Sequence, residues 1–469
     1  AGGGANGNAI DTQGTWTTSG GSIWLAGNVG SGTGYDVAIA NGAAQVFNVG
    51  SGSITILGDY FYSSTTTITS TGTLTFAPFG NAFTDSAGTS RTFTWSGSGT
   101  NFAGTGSINA ITINSIANLG GLVIGKASST SNSAVMISNA IGIAGPINIY
   151  GAAVTLTGGL TTTDTTTGDV GIVTTGLTGA GAISLATGRA LTVTQSGAST
   201  YSGAISGTSA TVTKLGAGAL TVSGNSSYTG LTTISAGTLK LGGSSSGSNS
   251  PLGTAANGVT VADGAALDLA GYSITTLEPL TLSGTGVGNS GALYNSSSSA
   301  STYSGVITLA ADTTIKSTGA LTLNGAIAGA YALIVTNTGD LTLGSTVGAS
   351  STRLTSLSVS GNANLYDNVW TSGAQTYSGN VGIGGDIGLN STSGGVTIGG
   401  AITGITGSNF LLYETTTPTR SSNSIVYSVD NSGSLSTPIT RITYRMEVTY
   451  GGTPYWVQVT FDAWANNLT

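Results

Sequence analysis

The sequence predicts an all-β chain wound into a β-solenoid, in which short strands stack coil upon coil. Three observations carry this prediction: apolar–Thr–apolar triplets, glycine-rich punctuation between them, and motif spacings close to one coil. Ile54-Thr55-Ile56-Leu57, Val154-Thr155-Leu156, Leu191-Thr192-Val193, Leu321-Thr322-Leu323 and Leu341-Thr342-Leu343 all place apolar residues at i and i+2. That two-residue period belongs to a strand with one buried face. Glycine supplies 78 of the 469 residues, and beside a strand it permits positive φ and a tight corner. Helical periodicity is almost absent.

Spacing separates a solenoid from a closed sandwich. A Tyr-Ser/Thr-Gly tripeptide preceded by Ser or Thr recurs at Tyr201, Tyr228, Tyr303 and Tyr377, at intervals of 27, 75 and 74 residues. The two Leu-Thr-Leu triplets lie 20 residues apart. A coil of about 20–25 residues fits these intervals, and about 400 residues would make roughly 16–20 coils. At ~4.8 Å between paired strands, such a rod is on the order of 80–100 Å long.

The elements follow in order. Residues 1–110 form an aromatic-rich β region, read as a cap plus the first coils, with Trp16, Trp24, Phe76, Phe83, Phe93 and Trp95 among its rings. Residues 111–410 are the solenoid repeats. Residues 411–469 are a C-terminal β-hairpin module. There Ile442, Tyr444, Met446, Val448 and Tyr450 alternate with polar residues, and a turn is expected at Gly451-Gly452-Thr453-Pro454. The return strand alternates Tyr455, Val457, Val459 and Phe461 with Trp456, Gln458, Thr460 and Asp462. Open solenoid ends expose unpaired strands. The aromatic residues Trp16, Trp24, Tyr444, Tyr450, Tyr455, Trp456, Phe461 and Trp464 are therefore candidates for capping or for contact with a second subunit.

Composition closes many chemical routes. The chain has no cysteine and no histidine, which removes disulfides, thiolate and imidazole metal sites, and His-based catalysis. Ten basic residues against 17 acidic, a net charge of −7, leave no cationic footprint for nucleic acid. Charged residues make up 6%, against roughly 25% in ordinary domains. Disorder does not fit 39% hydrophobic residues and a mean hydropathy of +0.26. Seven prolines are too few for a collagen-like chain. No apolar run reaches the roughly 18 residues of a membrane span. The opening Ala1-Gly2-Gly3-Gly4-Ala5 reads as what signal-peptide cleavage leaves, or as an arbitrary boundary.

Residues 213–239 carry a family resemblance. Lys214, Gly216, Gly218, Leu220, Val222, Gly224, Asn225, Tyr228, Gly230, Thr233, Ile234, Gly237, Thr238 and Leu239 fit the pattern K-x-G-x-G-x-L-x-L-x-G-x-N-x-Y-x-G-x-T-x-I-x-x-G-T-L. This stretch closely resembles the autotransporter-associated β-strand repeat of bacterial passenger domains. Degenerate echoes cover 302–345 and 376–400; elsewhere the likeness is compositional. The resemblance implies a right-handed parallel β-helix, secretion, and an adhesive, matrix or passenger role. The chain departs from the family at its end, where one hairpin stands in place of a translocator barrel. That departure implies either a barrel removed or a different export route.

Chemistry-bearing residues are few. The closest acid pairs are Asp164 with Asp169 and Asp263 with Asp268. A polysaccharide-active β-helix enzyme would need such acids clustered on one face, and bound calcium would need several oxygen ligands around each ion. The bland reading makes them turn acids. The Thr-x-Thr runs are too irregular along the chain for an ice-binding array, and read as outward strand positions. Tyr201, Tyr228, Tyr303 and Tyr377 are read as stacked corner residues packed on the neighbouring coil, or as exposed glycan contacts. The dense Ser/Thr surface offers hydroxyls that could carry O-glycans, a point on which the sequence is silent.

The resulting expectation is an extracellular, secreted bacterial cell-surface β-helix with no enzymatic activity and no cofactor. Its leading role is a self-assembling filament or matrix subunit, a homopolymer. The alternative is a monomeric adhesin that binds a glycan or surface ligand.

Overall fold

The computed structural model describes residues 10–27, 37–39, 45–58, 61–63, 66–80, 82–83, 90, 92–95, 107–111, 113–115, 119–127, 133–385, 387–404, 412–414, 441–450 and 453–462. All regular elements among them are strands apart from one short 3-10 turn, Val287–Asn289. The chain divides into two compact units, Ala1–Gly258 and Val259–Thr469. The boundary falls inside the stretch 111–410.

Each unit is a parallel β-helix, as the triplet pattern and spacing predict. In the first unit one face stacks Gly121–Ile124, the first half of Ile147–Leu156, the first half of Val170–Gly179, Ala190–Gln195, Thr211–Leu215 and Thr232–Ile234. A second face stacks Val135–Ile137, the remaining halves of the two long strands, Ser199–Tyr201, Ala219–Val222 and Gly237–Leu241. A third stacks Ile141–Ile143, Leu160–Thr162, Ile183–Ser184 and Ile205–Ser206. In the second unit Leu293–Asn295, the end of Ile307–Ser317, Ala332–Asn337, Ser356–Val359 and Gln375–Tyr377 form one such column of strands. Ser301–Tyr303, Leu321–Leu323, Leu341–Leu343, Ala363–Leu365 and Val381–Ile383 form another.

The triplets behave as written. In Leu321–Leu323 and Leu341–Leu343 both leucines are buried and the threonine is half-exposed. Inward residues pack coil on coil into a continuous apolar interior, the dominant stabilising term of such a fold. Corners are held by stacked glycines. A methyl group built on Gly145 would collide with the Gly120 carbonyl, and one on Gly325 with the Gly305 carbonyl.

The described part of the aromatic N-terminal region places five of its rings in the interior. Phe47, Phe76, Phe83, Phe93 and Trp95 are buried. Phe93 packs 5.7 Å from Phe76 and 5.2 Å from Phe83, with Trp95 6.5 Å from Phe76. These rings are interior packing rather than an aromatic surface. Large rings fill interior volume that smaller side chains would leave open.

The C-terminal hairpin pairs Arg441–Tyr450 with Thr453–Asp462 in antiparallel register, Ile442 opposite Phe461 and Val448 opposite Tyr455. Thr453 and Pro454, expected in the turn, belong to the return strand; Gly451 and Gly452 lie outside the described residues.

Candidate functional site

The region around the recognised repeat holds the most unusual chemistry in the first unit. Ile149, Ile172, Val193, Lys214 and Ile234 occupy one inward column, each paired with the next. A lysine thus takes an aliphatic position in the interior, with 1% of its surface exposed. Its Nζ donates to the carbonyls of Leu215 (3.0 Å), Gly216 (2.8 Å) and Ala236 (3.3 Å). Three acceptors match the three donors of an ammonium group. Burial pushes this amine down to about 8 from 10.5.

The neighbouring coils explain why a lysine is needed. Where the first face turns into the second, Thr174 pairs with Gln195, and Gly216 follows in the same register. Thr174 Oγ1 donates to the Ala152 and Gly176 carbonyls. Gln195 Nε2 donates to Gly197 (2.7 Å) and Ala219 (3.1 Å). Gly216, at φ +76°, has no side chain to do the same, so Lys214 reaches in from two residues earlier. Each clasp ties one coil to an adjacent one and satisfies inward-facing carbonyls that would otherwise be costly to bury. Beside Lys214 lies a cavity of about 20 Å³, lined by Leu177, Leu191, Tyr201, Tyr228 and Pro251 among others. It is apolar and about the size of one water.

The second unit uses neutral side chains for the same task. Asn295, Ser317 and Asn337 stack in register. Asn337 Nδ2 donates to the Gly339 and Asn362 carbonyls at 2.8 and 2.9 Å, and its Oδ1 accepts from the Gly361 amide. Thr371 and Ser391 both donate to the Gly373 carbonyl.

The four motif tyrosines are interior residues; none is more than 1% exposed, so the glycan-contact alternative does not apply to them. Tyr201 donates to the Gly181 carbonyl. Tyr303 donates to the Glu278 carbonyl at 3.0 Å and Tyr377 to Gln375 Oε1 at 3.3 Å. The Tyr228 and Thr232 hydroxyls share a hydrogen bond. Burial raises the Tyr201, Tyr303 and Tyr377 hydroxyls above their ordinary range. Tyr303→Phe is expected to cost about 1 kcal/mol in a urea titration, the net worth of one hydrogen bond; Tyr303→Ala should cost about 3–5 kcal/mol.

The acid pairs are engaged separately. Asp164 accepts from the Thr166 amide and hydroxyl and from the Thr167 amide, which lowers its pKa. Asp169 accepts from the Ala190 amide and lies 3.9 Å from Arg189, a basic companion the linear sequence hides. Asp268 is buried and accepts from the Ala270 and Ser296 amides and the Ser296 hydroxyl. Among the described residues no group of three or more Asp or Glu could hold a metal ion.

At the ends, Trp24 is 66% exposed on the strand Ile23–Ala26. Trp16 packs edge-on against Phe47 at 5.7 Å. Tyr444, Tyr450, Tyr455, Trp456 and Phe461 lie on the hairpin strands, their side chains outside the described residues, as is Trp464. Lys214 is the residue whose role the sequence conceals: it reads as a motif letter. The available signal is its parity with Val212, which places both on the same side of the strand.

Residues 212–241 match the family model of the passenger-associated-transport-repeat. No curated protein and no solved structure matches the chain. The repeat, inside stacked parallel strands, fits an autotransporter passenger-type β-helix protein.

Proposed function

We propose that this chain, a β-helix of the autotransporter passenger type, is a structural component of a bacterial surface or secreted assembly. The observation that carries the reading is the use of its scarce reactive groups. Lys214, Asp268, Tyr201 and Tyr303 are buried and hydrogen-bonded to neighbouring coils, while Tyr228 and Tyr377 are buried and bonded within their own coil. These groups serve the coil structure instead of facing a substrate. The passenger-type repeat supports a surface or secreted location. Among the described residues no helix is long and apolar enough to cross a membrane.

The finer reading is a filament or matrix subunit whose partner is a second copy. Trp24 supports it: a large ring largely exposed on an uncharged strand is expensive to leave in water and belongs at an interface. Light scattering and negative-stain microscopy over a concentration series test it. Concentration-dependent oligomers or fibres are expected, weakened by Trp24→Glu. Monomers at every concentration would overturn the filament reading.

A further inference from the structure

An asparagine at a corner ordinarily has a structural reason: it takes positive φ, or its amide hydrogen-bonds the chain nearby. Asn225 does neither. Outside glycine, positive φ is confined to Ser209, Ala270 and Asn289 among the described residues. The Asn225 side chain is exposed and makes no hydrogen bond among the described residues. It lies within the repeat matched at 212–241, yet the coils make no use of its amide.

The residues that follow give this amide a chemistry. Asn225-Ser226-Ser227 is an Asn-x-Ser triplet, the acceptor pattern for an asparagine-linked sugar. Alternation along the triplet turns Ser226 inward and leaves Asn225 and Ser227 exposed. Ser226 is buried, and its hydroxyl accepts from the Ile205 amide at 3.1 Å. The Ser227 hydroxyl, like the Asn225 amide, makes no hydrogen bond among the described residues. Both groups that define an acceptor are therefore open to solvent. A methyl on Gly224 would collide with the Gly203 carbonyl, and Ser226 meets Ile205, so Asn225 lies beside Ala204. Ile183 pairs with Ile205, which sets Ala182 beside Ala204 one coil further. Two methyl side chains next to Asn225 leave room for a sugar ring over the corner.

The same triplet occurs at Asn295-Ser296-Ser297, Asn390-Ser391-Thr392 and Asn467-Leu468-Thr469. The fold closes the first two. Asn295 is buried; its Nδ2 donates to the Ser299 carbonyl at 2.8 Å, and its Oδ1 accepts from the Gly271 and Ser297 amides. Asn390 is buried, with its Nδ2 donating to the Gly388 carbonyl at 3.0 Å. A sugar at either position would displace close-packed interior. Asn467 lies outside the described residues. We propose that Asn225 is an acceptor for an N-linked hexose added by a separate transferase. In that step the Asn225 Nδ2 attacks the anomeric carbon of a hexose carried as its diphosphate ester. The C–N bond forms as the C–O bond breaks, the diphosphate leaves with the electron pair, and the amide gives one proton to a base of the transferase. The modification goes beyond the structural role proposed above and does not depend on assembly.

The test uses the whole folded chain with Asn467→Gln, UDP-glucose, and an asparagine glucosyltransferase selected for modifying the free peptide 221–230. Intact mass and peptide mapping should show one added hexose, on the peptide that carries Asn225. Asn225→Gln and Ser227→Ala should each abolish the addition. Their urea midpoints should match the parent chain, because neither side chain is bonded, and so should the midpoint of the glucosylated chain. A folded chain that stays unmodified, comparable addition at Asn295 or Asn390, or a hexose that persists in Asn225→Gln would overturn the proposal. None of these readings measures assembly, so their failure is distinguishable from failure of the filament reading.

Discussion

Gly145→Ala and Gly325→Ala are each expected to destabilise their unit by about 3 kcal/mol or more, the range of severe overpacking. The added methyl would occupy the space of the Gly120 or Gly305 carbonyl on the preceding coil. Relief would require separating two coils that are hydrogen-bonded along their strands, as at Leu122 with Ile147 and at Ile307 with Ile327. Gly142→Ala is the matched control. It sits on the strand Ile141–Ile143, facing outward with nothing within 4 Å of the added methyl. It should be neutral or slightly stabilising, because alanine restricts the unfolded chain. Urea titrations of the three variants give the comparison. Equal midpoints for Gly145→Ala and Gly142→Ala would show that the corner glycines are there for reasons other than coil contact.

Lys214 carries the second large effect. Lys214→Ala is expected to cost about 3–5 kcal/mol, since it enlarges an existing cavity and leaves three carbonyls without their donor. Lys214→Met keeps most of the volume and should lose less, about 1–3 kcal/mol. The wild-type protein should also show a pH signature. Burial lowers the folded-state value to about 8 from 10.5, so protons bind more readily to the unfolded chain. The charged form therefore carries a constant penalty below pH 8, which is relieved as pH rises from about 8 towards 10.5. Tyr201, Tyr303 and Tyr377 act in the opposite direction. Their values are raised in the folded state, so they oppose the gain once unfolded tyrosines ionise near pH 10. Between pH 8 and about 9.5 the urea midpoint of wild type should rise relative to Lys214→Met. Parallel profiles would mean that the three carbonyls hold the ammonium against its desolvation.

Legibility follows the range of the interaction concerned. The triplet Leu321-Thr322-Leu323 announces its strand and its buried side through an alternation internal to three residues. The 20-residue interval to Leu341-Thr342-Leu343 announces the coil, and those two strands do pair. Asp169 and Arg189 sit 20 positions apart and meet only because one coil separates them. Phe83, Phe93 and Trp95 read as part of an aromatic end region, and only the structure shows that all three rings are buried and packed with Phe76.

What the sequence by itself determined is the class of the molecule. Two-residue alternation, abundant glycine and the scarcity of charge admit stacked parallel strands and little else, because each of these acts within a strand or a corner. The tertiary structure decided what each position is for. Pairing adds residues roughly one coil apart to the same column. Only that addition turns Lys214 into an interior clasp and closes the motif tyrosines to solvent. The physical reason is that coil lengths vary while register does not: inward and outward columns are set by hydrogen bonds between coils, and the linear spacing of residues does not record them.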